Sequence, residues 1–453
     1  MLDSRETKSN GPTTRTCEPS RMMHEHNAGS NAQAASLPAS DAKPRIRLIT
    51  PVWGRFYINR WLDLSFAALR SEGNIPFLNK NSDFELALIT KSEDAAFMQA
   101  DPKFNSVTAG IRVKFITMDE FFPPHGEVTY GVPLTLAYGK AIQDLGDDGI
   151  GTYVILMNAD FVVASGSLRN LLVRIRNGFT SMAAASIRVI NAGARLALQS
   201  YFDDRAGILS ISPRDMMRLA NANLHSTITG RIINDMHPID STYYHQIYWR
   251  ISHSCLAMRG FLLMPVCFQV KRIVSKVLCP VDYGVISEVS PGGPFCVLND
   301  SDDYLMIELQ ERDSESHWLR IAPDRTLKRR LARLAPEIAA HAATWTTPDH
   351  RQAATQTAYF HESELPADVA RRVKPLEEFV DDVLATMPPP VSHIGHFQWL
   401  PAVSKYREDM ICGGSDAVIE LLDDPRNLMT QLASKAETLS GRNFERFPLS
   451  VKR

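Results

Sequence analysis

The sequence predicts an α/β fold: a mostly parallel sheet flanked by helices, with a helical C-terminal region. Three observations predict it. Short apolar runs at 46–52, 84–90, 111–117 and 152–160 read as strands. Segments with apolar residues near helical spacing lie between them, at 56–72, 92–100 and 132–145. After residue 325 the pattern is helical, at 325–344, 366–386 and 415–440. Strand and helix in strict alternation require crossover connections, and crossovers make neighbouring strands parallel.

The elements follow in order. Residues 1–44 are rich in Ser, Asn, Ala, Thr and Pro and nearly lack large aliphatics. Such a segment buries too little surface to offset its ordering entropy, so a disordered arm is expected, with His24 and His26 as incidental polar residues or metal ligands. The first strand, Ile46 to Val52, runs into a turn at Trp53-Gly54-Arg55. Ser92 is placed to cap the short helix at 92–100. Beyond the strand at 152–160, a helix at 167–177 starts at Ser165 or Ser167, and a further strand covers 182–190. Ser212-Pro213 opens a helix at 213–224. The segment 240–310 mixes short apolar runs with Gly and Pro. The expected organisation is the arm at 1–44, a main domain at 45–320 and a helical region at 321–453.

Composition narrows the function classes. The chain has 453 residues, 44% hydrophobic and 22% charged, and a formal net charge of -2. That balance is globular and provides no general basic field to gather nucleic acid. Six cysteines, at 17, 255, 267, 279, 296 and 412, form no C-x-x-C pair, so buried free thiols are expected rather than structural zinc. No apolar run reaches the roughly 18 to 20 residues that span a bilayer. With no apolar signal core at the N-terminus, a cytoplasmic protein is expected. The basic run Arg325, Lys328, Arg329, Arg330 and Arg333 allows peripheral contact with an anionic inner membrane face, against the alternative of a solvated helix face.

Chemistry concentrates at the ends of two strands. The first strand ends in Thr50-Pro51-Val52-Trp53-Gly54-Arg55. A loop at the carboxyl end of a first strand is a usual docking place for a nucleotide. There Thr50 can bond a base or ribose, Trp53 can stack and Arg55 can pair with phosphate. Trp53 as a packing residue is the competing reading. No G-x-G-x-x-G follows the strand and no Walker-type loop occurs, which argues against dinucleotide and P-loop folds. The run Thr152 to Asp160 ends in Asn158-Ala159-Asp160. Read as a strand, it points Asn158 and Asp160 to one side and offers two hard oxygens to a divalent cation. The competing reading is an Asx turn.

The stretch Tyr130-Gly131-Val132-Pro133-Leu134-Thr135-Leu136-Ala137-Tyr138-Gly139-Lys140-Ala141, the turn Asp147 to Gly151, the apolar strand and the D-x-D-like Asn158-Ala159-Asp160 resemble the GT-A fold of nucleotide-sugar glycosyltransferases. The resemblance covers about residues 46–190. It implies transfer of a sugar from a nucleoside-diphosphate sugar to an acceptor (glycan, lipid or protein), with Mn2+ or Mg2+ at the diphosphate. It assigns Asp160 as metal ligand and Thr50, Pro51, Trp53, Arg55, Lys140 and Asn158 as nucleotide contacts. Asn158 stands where the family places an acid, which leaves Asp160 most of the metal role. The family often completes the metal site with a downstream histidine, and His253 is the candidate. Arg259 is placed to steady the leaving diphosphate. An inverting enzyme needs a carboxylate to deprotonate the acceptor, and Asp282 and Asp240 are the candidates. A core histidine at 253 and an ordinary ion pair at Arg259 are the alternatives. The Asp300, Asp302 and Asp303 cluster lacks EF-hand spacing and reads as a solvated turn. Two other functions fit parts of the pattern: a nucleotidyltransferase, and a non-catalytic scaffold that has lost the acidic pair.

Overall fold

The computed structural model describes residues 43–123, 131–274, 280–343, 346–390, 396–413 and 416–421. The expected arm at 1–44 lies outside the described residues except for 43 and 44. The expected helix at 415–440 is described only as Asp416–Leu421.

The first half of the chain forms β1 (Arg45–Pro51), β2 (Asp83–Thr90), β3 (Val113–Thr117) and β4 (Tyr153–Leu156). β5 (Phe161–Val163), β6 (Ser181–Ala184) and β7 (Ile187–Ile190) follow. Seven strands make the central sheet in the order Phe295–Val297, β6, Met264–Gln269, β4, β1, β2, β3. β1 pairs in parallel with both β2 and β4, and β2 in parallel with β3. Only Met264–Gln269 runs against its two neighbours. The α/β class and the mostly parallel sheet expected from the sequence are both present.

The strands read so clearly because helices cover both sheet faces. Leu48, Ile49, Leu86, Leu88 and Ile155 are fully buried. Burying each large aliphatic side chain contributes about 1.5–3 kcal/mol, and two covered faces leave a continuous apolar run instead of an alternating one. Helix Gly131–Gln143 packs on this sheet through Val132, Leu136 and Ile142.

Three local expectations change. The strand expected at 152–160 stops at Leu156, because residues 157–160 turn away to start β5 in a second sheet. The strand expected at 182–190 is two strands, β6 in the central sheet and β7 in the second. Ser92 does not cap its helix. Its hydroxyl donates to Asp119 at 2.6 Å, and the cap position is Lys91.

The second sheet has the order β5, Met306–Gln310, β7. A third is built from the hairpin Gln246–Ser252 and Cys255–Gly260 with Ala358–His361 beside it. Helices Leu327–Ala343 and Val369–Thr386 share one core with this hairpin, through Leu334, Ile338, Leu376 and Val380 against Ile247, Trp249 and Ala257. Helix His396–Gly413 belongs to the core of the central sheet through Trp399, Val403, Tyr406 and Met410. The C-terminal helices are thus tied to the sheets by shared apolar cores.

Cys255 and Cys267 are buried free thiols, and Cys296 is buried. No helix among the described residues is long and apolar enough to cross a membrane. The basic run at 325–333 divides: Arg330 is fully buried and Arg333 reaches Asp240, Asp324 and Glu337, so only Arg325, Lys328 and Arg329 face outward.

Candidate functional site

Chain order places β2 and β3 on one side of β1 and β4 on the other. The strand order reverses beside β1, and the carboxyl ends of strands at such a reversal are where open α/β sheets bind ligands, the candidate crevice here. Thr50 to Arg55 form one wall and Met157 to Asp160 the other. Met157 N–H donates to Ile49 O at 3.0 Å, which holds the two walls together.

The β1 wall is fixed by backbone geometry. Val52 N–H donates to Ile89 O at 2.9 Å. Gly54 has φ +79° and ψ 131°, and its N–H donates to the buried Asp94 carboxylate at 2.7 Å. A Cβ at Gly54 would meet only Tyr57, at 3.9 Å, so a substitution is penalised by the backbone and not by crowding. Replacing Gly54 by Ala should cost about 1–3 kcal/mol, read as a lower melting temperature, and should weaken nucleotide binding by displacing the loop.

Four predicted nucleotide contacts share this loop. The Thr50 hydroxyl is buried and makes no hydrogen bond. Pro51 closes β1. Trp53 is half-buried and packs edge-on against Phe122, with ring centroids 5.7 Å apart. Arg55 is exposed, its guanidinium 4.6 Å from the centre of the Phe97 ring. The exposed rings of Phe56 and Tyr57 follow at once, an aromatic surface beside the crevice that sequence patterning missed.

The β4 wall is a turn. Phe161 N–H donates to Asn158 O at 3.2 Å, a turn closed by the backbone and not by the Asn158 side chain that an Asx turn would use. Asn158 Oδ1 accepts from the Tyr138 hydroxyl at 2.5 Å. Asp160 faces a different set of groups, so the single-sided pair expected of a strand does not form. Its carboxyl is crowded by protein although the residue keeps some exposure. Burial first, then the Glu308 carboxylate, pushes its pKa up to about 7, while Arg60 and Arg188 pull the other way. Glu308, on Met306–Gln310, accepts from Ser186 and from Arg188 Nε, each at 3.1 Å. Arg188 also pairs with Glu315.

Helix residues 55–69 support this turn from outside. Residues Trp61–Ser65 widen into a π-helical turn, a feature common at functional sites. Ser65 Oγ donates to Ala159 O at 2.7 Å, and Arg60 Nη2 reaches Leu309 O at 3.4 Å.

The remaining sequence candidates go elsewhere. Lys140 is anchored at the carboxyl end of β3, bonded to Thr117 O at 2.6 Å and paired with Glu120. Asp240 is fully buried between Arg330 and Arg333, so it has no access to an acceptor and serves as a structural counter-ion. Arg259 lies in the third sheet and is consumed by Asp381, Glu377 and Thr357, the ion-pair reading rather than a phosphate contact. His253 sits exposed in the tight turn joining Gln246–Ser252 to Cys255–Gly260. Asp160 and Arg188 lie toward the Tyr248 end of this hairpin, so His253 is not brought to them. Asp282 starts helix Val281–Val289, and its side chain is outside the described residues. The backbone there is tied to helix Gly131–Gln143: Val281 N–H donates to Thr135 Oγ1 at 3.4 Å, one turn from Tyr138. The start of this helix and the Asn158 turn thus contact the same helix, Gly131–Gln143.

Asp300, Asp302 and His361 cluster closely enough to hold an ion. Arg214 already bonds both oxygens of Asp302, and Asp300 accepts from His361 at 3.0 Å. This group joins the strand Ala358–His361 to the loop before Met306–Gln310, away from the Asp160 end of the second sheet.

For a hard cation at the crevice, the chemistry of the donors is suitable. No side chain among the described residues donates a hydrogen bond to the Asp160 carboxyl, and a second carboxylate, Glu308, raises its proton affinity. Two neighbouring carboxylates lose that mutual repulsion when a divalent ion binds.

No family model matches the chain, and no curated protein matches it. Solved structures similar to it include GT-A-type glycosyltransferases. A mannosyltransferase from Pyrobaculum calidifontis, solved with GDP-Man and Mn2+, is 11% identical with TM-score 0.30, over 88% of this chain and 83% of that one. Mouse xyloside xylosyltransferase 1 is 11% identical with TM-score 0.23, over 34% of this chain and 58% of that one. The transferase LgtC is 14% identical with TM-score 0.21, over 35% of this chain and 52% of that one. Nucleotidyltransferases also occur among the similar structures, one from Anaerococcus prevotii at 12% identity and TM-score 0.21. Likenesses this shallow carry nothing about substrate or metal.

Proposed function

We propose that the chain is a glycosyltransferase that takes a nucleoside-diphosphate sugar at the crevice between β1 and β4. The observation that carries this reading is the pairing at the carboxyl ends of β1 and β4: a loop fixed by Gly54 N–H on Asp94 stands beside a turn whose Asp160 carboxyl has its pKa pushed up to about 7 by burial and Glu308. The loop Thr50 to Arg55 receives the nucleoside, with Trp53 against the base and Arg55 toward phosphate. Tyr138 holds Asn158 in place as a neutral oxygen acceptor toward the ribose. Asp160 with Glu308 would hold a divalent cation, which when bound supplies positive charge to the leaving diphosphate. Arg60 and Arg188 keep the carboxylate pair from repelling the anionic donor outright. Asp282, at the start of its helix, is the candidate base for the acceptor hydroxyl.

A thermal-shift screen of UDP-, GDP- and CDP-sugars with and without Mn2+ tests the assignment. One nucleotide family should raise the melting temperature, and Mn2+ should enlarge the rise. No shift with any nucleotide, with or without the metal, would favour a non-catalytic scaffold on the same sheet.

A further inference from the structure

A second polar site lies around Arg231, which like Asp160 has Arg188 among its charged neighbours. Arg231 follows the short helix Ser226–Thr229 and is held against the third sheet: Tyr248 N–H donates to Arg231 O at 3.0 Å. Only 4% of Arg231 is exposed. Its Nε is buried without a hydrogen-bond partner, and no carboxylate pairs with its guanidinium among the described residues. Its electrostatic neighbours are Arg188, Tyr248, Glu315 and Tyr243. Of these, Glu315 is already paired with Arg188, and Arg188 opposes the Arg231 charge. A buried arginine without a counter-ion is costly, because an isolated charge forfeits its hydration with nothing in return.

A wall of rings borders this arginine. Tyr243 stacks on His245 and on Trp318, with centroids 3.5 Å and 4.5 Å apart. Tyr243 and Trp318 are part-exposed, whereas His245 is buried beside Arg231, so the wall leads inward from the surface. Glu315, at the start of the segment that carries Trp318, has φ +55°, which a non-glycine residue adopts only at a cost.

We infer that Arg231 is the recognition point for an oxyanion, a phosphate or a carboxylate, on an acidic carbohydrate that enters along the Tyr243 and Trp318 rings. Arg188 is an electrostatic neighbour of both Arg231 and Asp160, so an acceptor anchored by its acid at Arg231 is held near the Asp160 turn. The acceptor role rests on the glycosyltransferase reading above; the anion site does not. A guanidinium fork suits both oxyanions, since each offers two oxygens in one plane.

The test uses the full chain and the variant R231M, with inorganic phosphate, glucuronate, glucose and UDP as probes at constant ionic strength. Phosphate and glucuronate should raise the wild-type melting temperature, and glucose should not. R231M should melt higher than wild type in phosphate-free buffer, because it removes an unpaired buried charge. It should also lose roughly tenfold or more of the phosphate affinity by calorimetry while binding UDP as wild type does. The inference fails if no anion acts beyond matched sodium chloride, if R231M keeps its phosphate affinity, or if R231M melts lower without phosphate. A parallel tenfold loss of UDP affinity would place the donor diphosphate at Arg231 and overturn the acceptor assignment. Phosphate binding without any UDP binding by wild type would overturn the donor reading and leave the anion site standing.

Discussion

Replacing Asp160 by Asn should cut sugar transfer, or hydrolysis of the sugar nucleotide, by roughly 10²-fold or more, the scale seen when a charge-stabilising group is removed from an active site. The same variant should be more stable than wild type at pH 8. The sign follows from the raised pKa. In the folded chain the Asp160 carboxyl holds its proton up to about pH 7, whereas an unfolded aspartate releases it near 3.8. Between those values the folded state binds more protons, so this group makes stability fall as pH rises through the window, and its cost is fully present above it. Asparagine cannot ionise and is spared that cost. The melting temperature should therefore rise by a few degrees at pH 8 and by clearly less at pH 5, where only part of the cost has accrued. Melting curves at both pH values with initial rates on the responsive sugar nucleotide check both halves. Full activity in the variant sinks the role of Asp160, and an unchanged melting point at pH 8 sinks the electrostatic account.

Asp240→Asn should produce the largest loss of stability and little specific loss of chemistry. Arg330, with no exposed surface, and Arg333 both direct their guanidinium groups at this carboxylate. The neutral amide leaves Arg330 as a buried charge without its partner, which costs about 3–5 kcal/mol. Chemical denaturation should show a lower midpoint with similar cooperativity, and the surviving folded fraction should turn over at the wild-type rate. A variant that is fully stable yet inactive would restore Asp240 as the acceptor base. The double variant Asp240→Asn with Arg330→Met should recover part of the loss, since it withdraws both buried charges together.

These two aspartates show where sequence reading succeeds and stops. The sequence offers Asp160 as a metal ligand by resemblance and Asp240 as a candidate acceptor base, and nothing local in it shows which of the two is buried against arginines. Asp160 differs from Asp240 in what folding brings to it. Glu308 comes from nearly one hundred and fifty residues downstream, and Arg60 from one hundred residues upstream. Arg330 and Arg333 reach Asp240 from ninety or more residues away. Likewise, Arg259 looked like a lone cation in an apolar stretch until helix Val369–Thr386 supplied Glu377 and Asp381. Arg231 gave no signal, because its isolation is a property of the folded surroundings.

The sequence by itself determined the class of the fold. β1, β2 and β4 are almost fully buried, and strands covered on both faces must be nearly continuously apolar wherever they occur in the chain. Their alternation with helices then forces parallel neighbours. Only the tertiary structure decided which charges face which. It split the segment 152–160 between two sheets, gave Asn158 to Tyr138 and Asp160 to Glu308, and closed Asp240 around two arginines. Periodicity is a local consequence of burial, but the free energy of a charge depends on every group within a few ångströms, whatever its place in the chain.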